Sequence, residues 1–220
     1  MATKFLFFDA AGTLIHLPRS AGARYRDVAL RHGLDVPEAS FNTAFRTAWK
    51  AAAPPATTRE PRPDDDRGWW QALVWHVLDL CAAPAEFARA PFFAELYHEF
   101  TKPGVWALYP EAIEVLTALR ERYRLGIISN FDGRLRPILA NLGVLDFFEL
   151  VVISSEAGAD KPDPWIYIRA LQLAGVAPGE AAHAGDDPAA DWHGARAAGL
   201  RSFELDRPRN SLRDFVVWLA

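Results

Sequence analysis

Two patterns of apolar and polar positions run along this chain, and the change between them divides it. The segment from Lys4 to Asp9 holds four consecutive apolar residues and closes on a carboxylate, as a short strand buried on both faces of a parallel sheet would. The small residues Ala10, Ala11, Gly12 and Thr13 end it in a turn. Four helical stretches follow, over 20–33, 38–53, 68–82 and 86–100, with apolar residues at three and four spacing; Leu73, Val77, Leu78 and Cys81 mark one such face. Between the second and third, residues 53–67 carry prolines and charges that cannot continue a helix, which predicts a long exposed loop.

From Pro110 the pattern becomes an alternation. Helices are predicted over 110–123, 135–142, 164–174, 189–198 and 211–219, with strands at Leu125–Ser129, Leu150–Ser154, Ala181–Ala184 and Arg201–Glu204. Such alternation predicts parallel strands joined by right-handed crossovers. The fold expected is therefore α/β: a Rossmann-like parallel sheet core over 1–15 and 101–220, interrupted by an all-helical cap domain over 16–100. There is no internal repeat.

Composition narrows the function classes. The chain is 50% hydrophobic and 24% charged, which excludes a disordered chain, and its 24 basic against 28 acidic residues form no block able to track a phosphodiester backbone. Nucleic acid is therefore not an expected partner. The single cysteine, Cys81, rules out an intramolecular disulfide and argues against a cysteine zinc site. The apolar run Phe5–Phe8 is too short for a signal segment, and no stretch reaches the roughly 18 apolar residues of a membrane span. A soluble, cytoplasmic protein is expected, with monomer and homodimer both open.

In open parallel sheets, ligands sit outside the carboxyl ends of the strands. Four predicted strand ends carry suitable residues: Asp9, Ser129, the loop running to Lys161, and Asp186-Asp187. Each alone has an ordinary structural reading. Asp9 can cap a turn, Ser129-Asn130 can be turn chemistry, Lys161 can be a solvated loop residue, and Asp187 before Pro188 reads as a helix N-cap. Taken together they form a set suited to phosphoryl transfer. Asp9 can attack phosphorus, Mg²⁺ held by Asp9 and Asp186 can screen the repulsion between two anions, and Lys161 supplies a fixed charge. Ser129 and the backbone N–H groups of the turn at Gly12 and Thr13 can donate to the transferring oxygens.

Four segments, Phe8-Asp-Ala-Ala-Gly-Thr-Leu14, Ile128-Ser-Asn130, Lys161-Pro-Asp-Pro164 and Gly185-Asp-Asp-Pro-Ala-Ala-Asp191, resemble in order the four motifs of the haloacid dehalogenase superfamily. The resemblance implies Asp9 as nucleophile, Ser129 and Asn130 at the phosphate, Lys161 orienting both reactants, and Asp186 as Mg²⁺ ligand together with the backbone carbonyl of Ala11. It implies Asp187 and Asp191 as outer support for the metal, and 16–100 as the superfamily's first cap type. The substrate implied is a small phosphorylated metabolite.

One departure stands out. Phosphatases of the superfamily usually carry a second aspartate two positions after the nucleophile, as general acid and base, and here that position is Ala11. A weak phosphatase, a non-catalytic binding protein with a relict site, and a hydrolase of another C–X bond are the competing expectations. Dehalogenases lack the acidic cluster that Asp186 and Asp187 supply. Phosphonatases need a cap lysine, for which Lys50 is the only candidate. His16, at the start of the insertion, is a candidate substitute acid. Trp69 and Trp70 with Arg59, Arg62 and Arg67 either greet an anionic substrate or serve as cap core and solvated surface.

Overall fold

The computed structural model describes residues 3–207 and 209–220. β1 (Phe5–Phe8) lies at the centre of a parallel sheet with β4 (Arg124–Ser129), β5 (Leu150–Ile153), β6 (Ala181–Gly185) and β7 (Arg201–Glu204), in the order β5-β4-β1-β6-β7. The chain first builds outward from β1 through β4 and β5, then crosses to the other side for β6 and β7. This reversal puts the topological switch point, where such sheets bind ligands, at the carboxyl end of β1. The register pairs Phe8 with Ile127 and with Ala184, so Asp9, Ser129 and Asp186 leave the sheet at one edge.

The four apolar residues of β1 explain its place. Alternating side chains send Phe5 and Phe7 into a core with Ile128, Val152, Ile166, Tyr167 and Leu171, while Phe8 meets Phe148 and Phe215 on the other face. Each buried aromatic contributes on the order of 1.5–3 kcal/mol relative to exposure. Among the covering helices, α8 (Pro164–Ala174) shows how local sequence sets the ends: Asp163 accepts from Trp165 N, Pro164 occupies the first turn, and Gly175 closes it left-handed. A two-stranded antiparallel ribbon, β2 (Ile15–His16) with β3 (Ala107–Leu108), was not expected from the pattern, because two-residue strands carry no periodicity.

The chain divides into two compact units. One takes the segment ending at His16, then Ala56–Asp65 and Ala107–Ala220; the other takes Leu17–Pro55 and Asp66–Trp106. The second contains α1 (Ala21–Arg31), α2 (Glu38–Ala51), α3 (Arg67–Leu80) and α4 (Arg89–Glu99), with its own core around Tyr25, Phe41, Val77, Leu78 and Phe92. Trp69 and Trp70 pack against that core, and Arg67 lies over Phe93 and Tyr97. Most of the loop between α2 and α3 is exposed, as the sequence predicts, but two of its residues are not and part of it belongs with the sheet unit. Arg62 and Asp66 are buried, and residues 56–65 pack with the sheet unit through hydrogen bonds such as Thr58 N to Gly158 O (2.8 Å). Among the described residues no helix is long and apolar enough to cross a membrane.

Candidate active site

Asp9 is the residue at which the sheet turns polar. Its backbone N–H still bonds Ala184 O (2.9 Å), which holds it in line with β1, and its carboxylate is buried. Ser129 Oγ, at the end of β4, donates to Asp9 Oδ1 at 3.0 Å, and Lys161 Nζ donates to the same oxygen at 2.6 Å. Two donors on one oxygen fix the plane of the carboxylate. Lys161 Nζ also donates to Ile128 O (2.9 Å) and Asp191 Oδ1 (2.6 Å), which uses all three of its protons.

The turn after Asp9 wraps Ala10 O, which accepts from Thr13, Leu14 and Ile15 N. Thr13 Oγ1 then donates to Asp186 Oδ1 (2.8 Å), so this threonine joins the first strand end to that of β6. Gly12 has a φ of 94°, and a Cβ there would fall 2.3 Å from Asp186 Oδ2. Only glycine permits that approach. Ala11 is exposed and places no carboxylate beside the nucleophile.

Asp186, Asp191 and Asp9 each offer an oxygen within 4.8 Å of the others. The sequence reading placed Asp191 outside the metal's immediate ligands; in the structure it stands inside the acidic group. The cause is a wide helical turn over Pro188–His193, in which Trp192 N bonds Asp187 O five residues back (3.2 Å). Asp191 turns inward there, accepting from Lys161 and from Asp187 N (2.9 Å). Asp187 itself caps the turn, accepting from Ala189 and Ala190 N. Asn130, read as a phosphate ligand, instead clasps the Lys161 backbone: Nδ2 donates to Lys161 O (2.9 Å) and Oδ1 accepts from Lys161 N (2.6 Å).

Three carboxylates share one ammonium here, so the site carries surplus negative charge. Burial, then Asp191 and Asp186, push Asp9 up to about 7 against the pull of Lys161. Asp186 is also raised, chiefly by burial. Burial works against the ionised form of Asp191, but Lys161 and His183 outweigh it and hold Asp191 below the usual carboxylate range. Burial likewise opposes the Lys161 ammonium, and Asp9 and Asp191 more than compensate, holding it above the lysine range. A group of hard oxygen donors with excess negative charge fits a divalent cation such as Mg²⁺.

Some neighbours carried no readable signal. His183 is fully buried on β6 with Nε2 3.0 Å from Asp191 Oδ1, and burial lowers its pKa against the pull of Asp191. Arg207 donates to Thr13 O (3.0 Å), pairs with Glu111 Oε1 (2.7 Å) and stacks 3.6 Å over Tyr109. The ring centre of His16 is 4.7 Å from that of Tyr109. Lys50 is an exposed residue near the end of α2, and Arg59 lies over Trp165.

Residues 3–199 match the family described as haloacid dehalogenase-like hydrolase. This chain belongs to that family. It is 37% identical over 202 residues to the haloacid dehalogenase-like hydrolase domain-containing protein 3 of Mus musculus, an alignment covering 91% of this chain and 80% of the relative. Over 121 residues it is 42% identical to a phosphoserine phosphatase of Thermus thermophilus, covering 54% of this chain and 48% of that protein. A solved structure of the defluorinating L-2-haloacid dehalogenase Rha0230 superposes with a TM-score of 0.78 at 23% identity, covering 94% and 82% of the two chains. The shared fold thus carries different chemistries, and the side chains at the strand ends must choose among them.

Proposed function

We propose that this family member is a Mg²⁺-dependent phosphatase that hydrolyses a small phosphorylated metabolite through an aspartyl-phosphate at Asp9. The observation that carries this reading is the convergence of Asp9, Asp186 and Asp191 around one point, with Lys161 and Ser129 gripping Asp9. Three carboxylates so close together suit cation-assisted attack on a phosphate monoester dianion better than attack on a haloacid, which carries a single negative charge. The Thermus relative supports the same choice by its phosphatase activity.

Asp9, Asp186 and Asp191 would hold the cation. The bound ion lowers the repulsion between the Asp9 carboxylate and the incoming phosphate. An Asp9 oxygen attacks phosphorus, the bond to the ester oxygen breaks, and the leaving alcohol takes its proton from solvent because Ala11 supplies none. Ser129 binds a phosphoryl oxygen and Lys161 balances charge that spreads during transfer, while Gly12 N and Thr13 N, read from the sequence as further donors, are instead spent within the turn on Ile15 O (2.8 Å) and Ala10 O (3.3 Å). Water then attacks the aspartyl-phosphate, releasing inorganic phosphate and restoring the carboxylate. Splitting one displacement into two lowers each barrier.

A panel of phosphorylated metabolites and an aryl phosphate, assayed with Mg²⁺ and with chelator, tests the proposal beside Asp9→Asn. Turnover is expected only with Mg²⁺, and Asp9→Asn should reduce it at least about a thousand-fold. Turnover that survives either change would refute the mechanism, and stoichiometric binding of a metabolite without turnover would favour a binding protein.

A further inference from the structure

The segment 56–65 is covalently part of the insertion between α2 and α3, yet its contacts belong to the sheet unit. These contacts are concentrated on the two loops that carry Ser129 and Lys161 onward from their strands. Asp65 accepts from Gly133 N with both oxygens (3.0 and 2.8 Å) and from Ser155 Oγ (2.5 Å), tying the loop after β4 to the start of α7 (Ser154–Ala157). Arg62 N donates to Ser155 O (2.8 Å), and its guanidinium pairs with Asp160 Oδ2 (2.9 Å), with the two side chains 6% and 18% exposed. Arg62 and Asp65 thus hold both ends of the stretch 155–160, and Lys161 is the next residue.

The fit is close on both sides. A Cβ on Gly133 would lie 2.6 Å from Asp65 Oδ2, so the core yields the space of a side chain to the carboxylate. Asp65 itself has a φ of 51°, a left-handed conformation that aspartate tolerates better than most residues and that its bonds hold in place. Lys161 makes three contacts of 2.6–2.9 Å within the site. Its catalytic value depends on that placement, because misplacement by about 1 Å can cost on the order of 100-fold in rate.

We infer that Arg62 and Asp65 are positioning residues for the reaction at Asp9, holding Lys161 and Ser129 in place through the loops they brace. This inference rests on the phosphatase reading for its reaction, while the bracing itself has a separate readout. Asp65→Gly removes the carboxylate and accepts the same backbone conformation; Asp65→Asn keeps one acceptor oxygen and is the conservative partner.

For Asp65→Gly, kcat on an aryl phosphate with Mg²⁺ is expected to fall about 10- to 100-fold with KM changed less than about threefold, and Asp65→Asn should recover part of the loss. Amide hydrogen exchange should quicken in 129–133 and 154–161 and stay unchanged in β1 and β6. Unchanged kcat would overturn the inference, as would a loss of rate that merely follows the unfolded fraction measured by thermal denaturation. Should Asp65→Gly fail to fold, the same comparison is made with Asp65→Asn and Arg62→Lys. If the wild type has no phosphatase activity, the phosphatase reading fails by itself, and unaltered exchange in the two loops would then refute the brace independently.

Discussion

Asn130 places a strong constraint on Lys161. Its amide satisfies the Lys161 backbone on both sides. Asn130→Ala should therefore lower kcat by about tenfold or more while leaving KM nearly unchanged, since misplacing Lys161 weakens the transition state more than the ground state. Steady-state kinetics on an aryl phosphate checks this, and a rise in KM alone would return Asn130 to the role of phosphate ligand. The spacing of the motifs identified the residue but not its direction, because a turn asparagine serves a ligand or a neighbouring backbone with the same amide. Asp191 shows the complementary case. The resemblance implied outer support for the metal, and in the structure, within the wide turn at Pro188–His193, a carboxylate oxygen of Asp191 lies within 4.8 Å of those of Asp9 and Asp186.

At the scale of elements, β1, β4, β5, β6 and β7 were legible, because runs such as Phe5–Phe8 and Leu125–Ser129 are apolar and end at polar residues. The ribbon of β2 and β3 and the packing of 56–65 were not, because both depend on partners distant in sequence rather than on local periodicity. The pair of Glu111 and Arg207, at the N-terminal end of α5 (Ala112–Arg120), belongs to the same class. Burial disfavours the Glu111 carboxylate, but hydrogen bonds from its own backbone and from Arg207 overcome this and hold its pKa below the ordinary 4.5. A depressed folded value means the stabilisation is complete above the unfolded pKa and disappears as pH falls through the folded one. Glu111→Gln should cost about 1–3 kcal/mol in urea unfolding at pH 7, with the difference from wild type shrinking as pH falls below the ordinary 4.5 and through the lower folded value. A difference independent of pH would show that the carboxylate's charge contributes nothing.

For the whole molecule, Ala11 sets the expected substrate preference. General acid catalysis is worth about 10²–10⁴-fold, and its loss falls hardest on alcohols that leave poorly. Across a series of aryl and alkyl phosphates, kcat/KM should drop steeply as the leaving-group pKa rises; a flat profile would mean that another residue donates the proton. His16→Gln distinguishes one such donor, since a flat profile made steep by that substitution would assign it. The α/β class, the helical insertion and a division into 1–15 with 101–220 and 16–100 were readable from the change in periodicity near Pro110, whereas the assignment of 56–65 to the sheet unit required its contacts.

In the proposed mechanism Asp9, Asp186 and Asp191 together hold one divalent cation. Titration of Mg²⁺ into the metal-free protein by calorimetry, with Asp186→Asn and Asp191→Asn alongside, tests it most directly. One ion per chain is predicted for the wild type, with affinity reduced at least about tenfold in either variant. A wild type that binds no Mg²⁺, or variants that bind it equally well, would contradict the account.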